Sequence, residues 1–218
     1  MGQARAIEEP GGLLDFERLA ATPLVREPFD HLIVPAFLRA EALPLVATDF
    51  PAIEEGGSFP LSSLQGGPAF DRLVESFRSR ETAEALGEKF GLELTDKPVM
   101  ITVRGQSREK DGRIHTDSKS KLLTVLLYMN DSWDSKGGRL RLLRRPDDLD
   151  DFVAEVPPHQ GTLLAFRCAD NAWHGHKPFV GRRRSIQVNW MHRSAVAWKE
   201  QARHRLSALG KSLFRSRG

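Results

Sequence analysis

The sequence predicts an α+β fold in which helices come first and an antiparallel β-sandwich or barrel follows. Apolar residues recur at helical spacings before Gly91, whereas short β-type runs dominate after it. Turn signals separate these runs, and no helical pattern lies between them. The pattern therefore favours an antiparallel arrangement over a parallel α/β sheet.

The N-terminal part is predicted to supply an entry strand and covering helices. Residues 30–35 alternate like a short strand, and a helical pattern follows over 39–50. The stretch 54–67 is rich in Gly, Ser and Pro, which predicts a loop. Residues 69–90 carry apolar side chains at helical spacings, which predicts one or two further helices.

Five short runs make up the predicted sandwich. They cover residues 98–103, 122–129, 140–143, 162–166 and 185–190. The longest apolar run is the second, which only Thr124 interrupts. This run is far shorter than the roughly 20 residues that cross a bilayer.

The composition is that of an ordinary globular protein, with 40% hydrophobic and 28% charged residues in 218. No linker interrupts the chain, so we predict a single domain over 1–218. The first residues carry acids where a signal peptide needs an apolar core, which leads us to expect a cytoplasmic protein. The single cysteine, Cys168, excludes an intrachain disulfide and a cysteine-only metal site.

The C-terminal tail carries much of the excess positive charge. The whole chain has a net charge of +3, while residues 192–218 hold seven basic residues and one acid. Residues 195–209 are predicted to form a helix with one apolar face, which we expect to pack on the sandwich or on a second subunit. Contact with nucleic acid or an anionic membrane is the less favoured alternative. The oligomeric state stays open.

Three residues are candidate metal ligands. His115 and Asp117 are two positions apart, so on an extended strand both side chains point to the same face. His174 lies between two predicted strands and is an attractive third ligand. Two imidazoles and one carboxylate leave positions open on the metal, as in non-haem Fe(II) oxygenases. Taken alone, the His-x-Asp spacing is a weak signal that also fits a solvated turn.

An arginine strengthens the metal hypothesis. Arg183 lies nine positions after His174, and Ser185 follows on the next predicted strand. Its guanidinium fork could hold one end of a dicarboxylate whose other end chelates the metal. The alternative is that the run 182–184 is a solvated basic turn.

From about Met100 to Met191 the sequence resembles the catalytic core of the prolyl-4-hydroxylase-like iron(II)/2-oxoglutarate-dependent dioxygenases. The matching pieces, in order, are His115-Thr-Asp117, Tyr128-Met-Asn-Asp-Ser-Trp133, Gly137-Gly-Arg-Leu140, Gly161-Thr-Leu-Leu-Ala-Phe166, and His174 with Pro178, Gly181, Arg183 and Ser185. The resemblance implies a double-stranded β-helix, a distorted jelly roll, with a catalytic core over about 98–192 and covering helices before it.

The resemblance also implies the roles of the site residues. The metal ligands, which are also the catalytic residues, would be His115, Asp117 and His174. Arg183 and Tyr128 would bind the distal carboxylate of 2-oxoglutarate, with Ser185 beside them in the cosubstrate site. The implied cofactors are Fe(II), 2-oxoglutarate and O₂, with ascorbate as a possible reductant. Hydroxylation with release of succinate and CO₂ is favoured over halogenation, because related halogenases lack the carboxylate ligand.

Two residues are candidates for the primary substrate. Arg104 stands where members that act on prolyl peptides often have an aromatic residue, and it could bind an acidic substrate or be solvated. His176 would share a face with His174 on an extended segment, so it could be a ligand, a pocket residue or plain surface. The family pattern favours His174, because Arg183 lies at the matching interval from it.

Two other functions compete with an oxygenase. One is a non-catalytic jelly-roll module that binds a metal or ligand and uses the basic tail for interactions. The other is a zinc hydrolase, which would need a general base that no nearby Glu supplies. For the oxygenase, the expected substrate is a small molecule or a side-chain acceptor.

Overall fold

The computed structural model describes residues 12–193, which form four helices, one 3₁₀ turn and nine strands. The helices are α1 (Phe16–Ala21), α2 (Leu43–Asp49), α3 (Pro68–Arg78) and α4 (Arg80–Phe90), and the 3₁₀ turn is Leu61–Ser63. The strands are β1 (His31–Val34), β2 (Phe59–Pro60), β3 (Val99–Ser107), β4 (Lys121–Tyr128), β5 (Leu140–Leu143), β6 (Phe152–Val156), β7 (Leu163–Arg167), β8 (His174–Gly175) and β9 (Gly181–Met191). The tail helix predicted for 195–209 lies outside the described residues.

Two antiparallel sheets form the body of the protein. The larger sheet has the strand order β1-β7-β4-β9-β3-β2, and the smaller one has the order β6-β5-β8. Apolar side chains of both sheets pack together between them, among them Leu142 of β5, Leu164 and Phe166 of β7. The predicted fold class, a mainly β jelly roll with N-terminal covering helices, is confirmed.

The helices cover the outer face of the larger sheet. Strand side chains alternate between faces, so Leu123, Val125 and Leu127 of β4 pack with Phe77 of α3 and Leu86 of α4. These five side chains are fully buried. Burial of one such side chain stabilises the folded state by about 1.5–3 kcal/mol. The packing of the helices on the outer face therefore stabilises the larger sheet.

Ser79 divides the helical stretch 69–90 in two. Its backbone is extended, and its hydroxyl accepts a hydrogen bond from the backbone N–H of Thr82 at the start of α4. Gly91 ends α4 in the left-handed conformation, at φ 61°. The sequence prediction of one or two helices is therefore resolved as two.

Four elements were not predicted: α1, β2, β6 and β8. The strands β2 and β8 are two residues long, and β2 lies inside the predicted loop 54–67. β6 has only one buried residue in five, so it lacks the alternation that marks a half-buried strand. Within residues 12–193, no helix has both the length and the apolar character to cross a membrane.

Candidate active site

The site lies on the inner face of the larger sheet, in a region where the strands carry polar side chains. On β9, the outward residues Ile186, Val188 and Trp190 are buried against the helices, whereas Ser185 and Gln187 line a pocket of about 390 Å³ between the sheets. Because side chains alternate along the strand, one face of β9 packs against the helices and the other face lines the pocket.

Three candidate ligands meet at one end of this pocket. His115 and His174 form an antiparallel bridge in which each backbone N–H donates to the other residue's carbonyl at 3.0 Å. One ligand atom from each histidine and one carboxylate oxygen of Asp117 all lie within 4.8 Å of one another. The pairing of a loop with β8 therefore brings together residues that are far apart in the chain.

Backbone carbonyls fix both imidazole rings. The Nδ1 atom of His115 is 2.8 Å from the carbonyl oxygen of Arg113, and that of His174 is 2.9 Å from the carbonyl oxygen of Ala172. A carbonyl only accepts, so each Nδ1 carries the proton and each Nε2 keeps a lone pair for a metal. Burial and the neighbouring His115 lower the pKa of His174 to about 4, which keeps its ring neutral at pH 7.

Asp117 is held on both carboxylate oxygens. Lys121 Nζ donates to Oδ1 at 2.7 Å, and the Thr124 hydroxyl donates to Oδ2. Burial alone would raise the pKa of Asp117, but the charge of Lys121 and the two hydrogen bonds outweigh it and lower the pKa. The carboxylate is therefore ionised at neutral pH, as a metal ligand must be.

Arg183 and Tyr128 lie side by side at another part of the site. The Arg183 guanidinium carbon is 5.4 Å from the centre of the Tyr128 ring, and Arg183 Nε donates to the carbonyl of Gly138 at 2.8 Å. Ser185 is the register partner of Tyr128 on the neighbouring strand. Arg183, Tyr128 and Ser185 are all buried.

The Tyr128 hydroxyl is buried without a hydrogen-bond partner among the described residues. Burial raises the pKa of this hydroxyl and the charge of Arg183 opposes the rise only in part, so the group stays protonated and able to donate. An unsatisfied buried donor costs about 1–3 kcal/mol. A carboxylate placed between Tyr128 and Arg183 would satisfy it.

The two candidate substrate residues also line the pocket. Arg104 is the register partner of Ser185 on β3. His176 donates its backbone N–H to the carbonyl of Gly112 at 2.8 Å, and its Nδ1 lies 2.9 Å from the carbonyl of Lys177. The cluster of ligand-forming atoms includes His174 and does not include His176.

Comparison with known proteins agrees with this geometry. Residues 103–192 match the 2OG-Fe(II) oxygenase superfamily. This match confirms the resemblance that the motifs indicated, and it supports an oxygenase. No curated protein matches the sequence significantly.

The chain has structural neighbours of low sequence identity, and these show the fold alone. A Pseudomonas putida prolyl-4-hydroxylase is 18% identical with a TM-score of 0.54, over 82% of this chain and 90% of that chain. A prolyl 4-hydroxylase from Phytophthora capsici is 17% identical with a TM-score of 0.55, over 88% of this chain and 70% of that chain. A Burkholderia pseudomallei oxidoreductase of the 2OG-Fe(II) oxygenase family is 13% identical with a TM-score of 0.52, over 74% of this chain and 84% of that chain.

The superfamily implies Fe(II) and 2-oxoglutarate, and the residues of this site fit both. Two imidazoles and one carboxylate are a donor set that suits non-haem Fe(II). The buried guanidinium of Arg183, next to a tyrosine hydroxyl that has no partner within residues 12–193, suits the distal carboxylate of a dicarboxylic acid.

Sequence reasoning missed the residues that support Asp117. Thr124 interrupts an apolar run on β4, and that polar residue was the available signal. Lys121 gave no signal, because a lysine at the start of a strand is ordinarily solvated. Here its side chain is 12% exposed and that of Asp117 is 8% exposed, so the pair is sheltered from water.

Proposed function

We propose that this protein is an Fe(II)- and 2-oxoglutarate-dependent dioxygenase. It hydroxylates a small molecule or a side-chain acceptor and releases succinate and CO₂. The observation that carries the proposal is the presence, in one pocket, of the three-ligand cluster and of the buried Arg183. A binding module has no need for an open metal site next to a carboxylate clamp.

The metal would be held by Nε2 of His115, Nε2 of His174 and the carboxylate of Asp117. The carbonyls that accept from the two Nδ1 atoms orient the rings. Lys121 and Thr124 orient Asp117. When bound, iron and 2-oxoglutarate supply the oxidising chemistry, in which O₂ converts 2-oxoglutarate to succinate and CO₂ and the second oxygen atom enters a substrate C–H bond.

Arg183 and Tyr128 would bind and orient the distal carboxylate of 2-oxoglutarate. The terminal nitrogens of Arg183 supply charge-assisted hydrogen bonds, and the Tyr128 hydroxyl donates a further one. Leu126, Leu140 and Phe166 line the same pocket and help to exclude water. Because Asp117 fills the carboxylate position, hydroxylation is the proposed outcome and halogenation is not.

Succinate formation tests the proposal. Purified protein with Fe(II), 2-oxoglutarate, O₂ and ascorbate is expected to form succinate, and Zn(II) in place of Fe(II) is expected to abolish this. The substitutions His115→Ala, Asp117→Ala and His174→Ala should each abolish turnover. His192→Ala is the matched control, because His192 is exposed and, within residues 12–193, its only hydrogen bond runs from its backbone N–H to the carbonyl of Ser120. Turnover with Zn(II), or full activity in any of the three ligand variants, would contradict the proposal.

A further inference from the structure

We infer that Arg104 binds an anionic group of the primary substrate, a carboxylate or a phosphate, and so determines substrate specificity. The inference rests on the proposed function, because it treats the Arg183 end of the pocket as the cosubstrate site. It concerns a second anion site in the same pocket, reached from the neighbouring strand.

The position of Arg104 separates it from the cosubstrate clamp. Strand β9 lies between β3 and β4, so Ser185 sits between its register partners Arg104 and Tyr128. Two strand spacings of about 4.8 Å place the backbones of Arg104 and Tyr128 about 10 Å apart. Arg104 therefore enters the pocket beside the cosubstrate clamp and not within it.

Within the described residues, Arg104 pairs with one acid, Asp111, which it shares with Arg108. Its nearest acid is Asp111, at 3.8 Å from Nη1 to Oδ2, which is too long for a hydrogen bond. Asp111 is already taken by Arg108, which donates its backbone N–H at 2.9 Å, Nη2 at 3.2 Å and Nε at 3.4 Å. The Arg104 guanidinium forms no side-chain hydrogen bond within residues 12–193, although its side chain is only 35% exposed.

The surroundings of Arg104 disfavour an isolated cation. Burial lowers the pKa of Arg104; Asp111 opposes this, while the charges of Arg183 and Arg108 lower it further. An anion next to Arg104 would relieve both the desolvation and the repulsion between the arginines. The same reasoning makes a neutral substrate group a poor partner for this side chain.

The charge of the whole pocket favours an anionic substrate. Five basic side chains line it against two acids, Asp111 and Asp117. The basic residues are Arg104, Lys110, Arg113, Lys121 and Arg183. Fe(II) and the dianion 2-oxoglutarate carry opposite charges of equal size, so the loaded site keeps the positive excess.

The test uses the full chain labelled with ¹⁵N and loaded with Zn(II) and 2-oxoglutarate, which blocks turnover. Acetate and inorganic phosphate are titrated separately, with acetamide as the neutral probe, and the Nε–H signal of Arg104 is followed by NMR. Loss of the signal in Arg104→Met assigns it. We expect a saturable shift with at least one anion and none with acetamide. No saturable shift, or an equal response to acetamide, would overturn the inference.

Two variants and a control separate a binding role from a folding role. Arg104→Met and Arg104→Gln should weaken anion binding about tenfold or more, a typical effect of losing charge-assisted hydrogen bonds. Arg182→Met is the matched control, because Arg182 is exposed and does not line the pocket. Unchanged anion affinity in both Arg104 variants would overturn the inference, and thermal unfolding reports whether each variant is folded.

Calorimetry with 2-oxoglutarate distinguishes the two proposals. If the wild-type protein binds no 2-oxoglutarate, the proposed function is wrong. If it does, both Arg104 variants should bind 2-oxoglutarate within about threefold of wild type. A loss as large as that of Arg183→Lys would assign Arg104 to the cosubstrate and overturn the inference. The anion that binds more tightly, acetate or phosphate, then indicates whether carboxylate or phosphate substrates should be screened.

Discussion

Lys121 and Asp117 form an ion pair with a distance of 2.7 Å from Nζ to Oδ1, next to the two candidate histidine ligands. The pair is four residues apart in the chain, with the lysine at the start of β4 and the aspartate in the loop before it. This contact keeps Asp117 ionised and fixed before any metal arrives. The first residue of β4 therefore contacts a candidate metal ligand directly.

We expect Lys121→Met to destabilise the metal-free protein at pH 7 by about 1–3 kcal/mol, because it leaves a largely buried carboxylate without its counter-charge. Urea unfolding measures the change. In a double-mutant cycle with Asp117→Asn, the penalty should largely disappear, since no charge is then left unpaired. A penalty that stays the same in the Asp117→Asn background would show that Lys121 acts through something other than this ion pair.

Tyr128→Phe should separate stability from cosubstrate binding. Removing a buried hydroxyl that has no partner in the described part of the chain is expected to leave the ligand-free protein as stable as wild type, or about 1 kcal/mol more stable. The same change should weaken 2-oxoglutarate binding about tenfold, since it removes a hydrogen bond to the distal carboxylate. Thermal unfolding and calorimetry check the two halves. A variant that is less stable yet binds 2-oxoglutarate normally would contradict this role.

Arg183→Lys is expected to raise the Michaelis constant for 2-oxoglutarate more than it lowers the maximal rate. Lysine keeps the charge but loses the fork, and a hydrogen bond to a charged group contributes about 1.5–3 kcal/mol. Lysine also cannot reproduce the Nε–H bond to Gly138 together with the contact to the cosubstrate. Steady-state succinate assays give both constants. An unchanged Michaelis constant would mean that the carboxylate is held elsewhere.

His176 should make the metal-free protein sensitive to acid. Burial, followed by the charge of Arg183, lowers the pKa of His176 to about 4, below the value near 6.5 of an unfolded histidine. The unfolded state thus binds the proton first, so stability falls as the pH drops from about 6.5 to 4. His176→Gln should reduce this loss by about 2–3 kcal/mol at pH 4, at about 1.4 kcal/mol per pKa unit. The assignment would be contradicted if the unfolding free energies of wild type and His176→Gln fell by the same amount over this pH range.

Strand faces could be predicted from the sequence, but partners across the sheets could not. The His-x-Asp spacing is a local signal, and it indicated two of the candidate ligands, His115 and Asp117. The contact of His115 with His174 depends on how β8 joins β5 in the smaller sheet, which no local pattern contains. The ion pair between Lys121 and Asp117 could not be predicted either, because the burial of a lysine depends on tertiary packing. The single-domain organisation over 1–218 stays a prediction.

Coupling between metal and cosubstrate tests the central claim most directly. If one molecule of 2-oxoglutarate reaches from Arg183 to the metal held by His115, Asp117 and His174, the two must bind cooperatively. Anaerobic calorimetry should give a dissociation constant for 2-oxoglutarate at least tenfold lower with Fe(II) than without it. Fe(II) should gain the same factor from 2-oxoglutarate, because linkage is reciprocal. An affinity for 2-oxoglutarate that does not change when Fe(II) is added would contradict the proposed site.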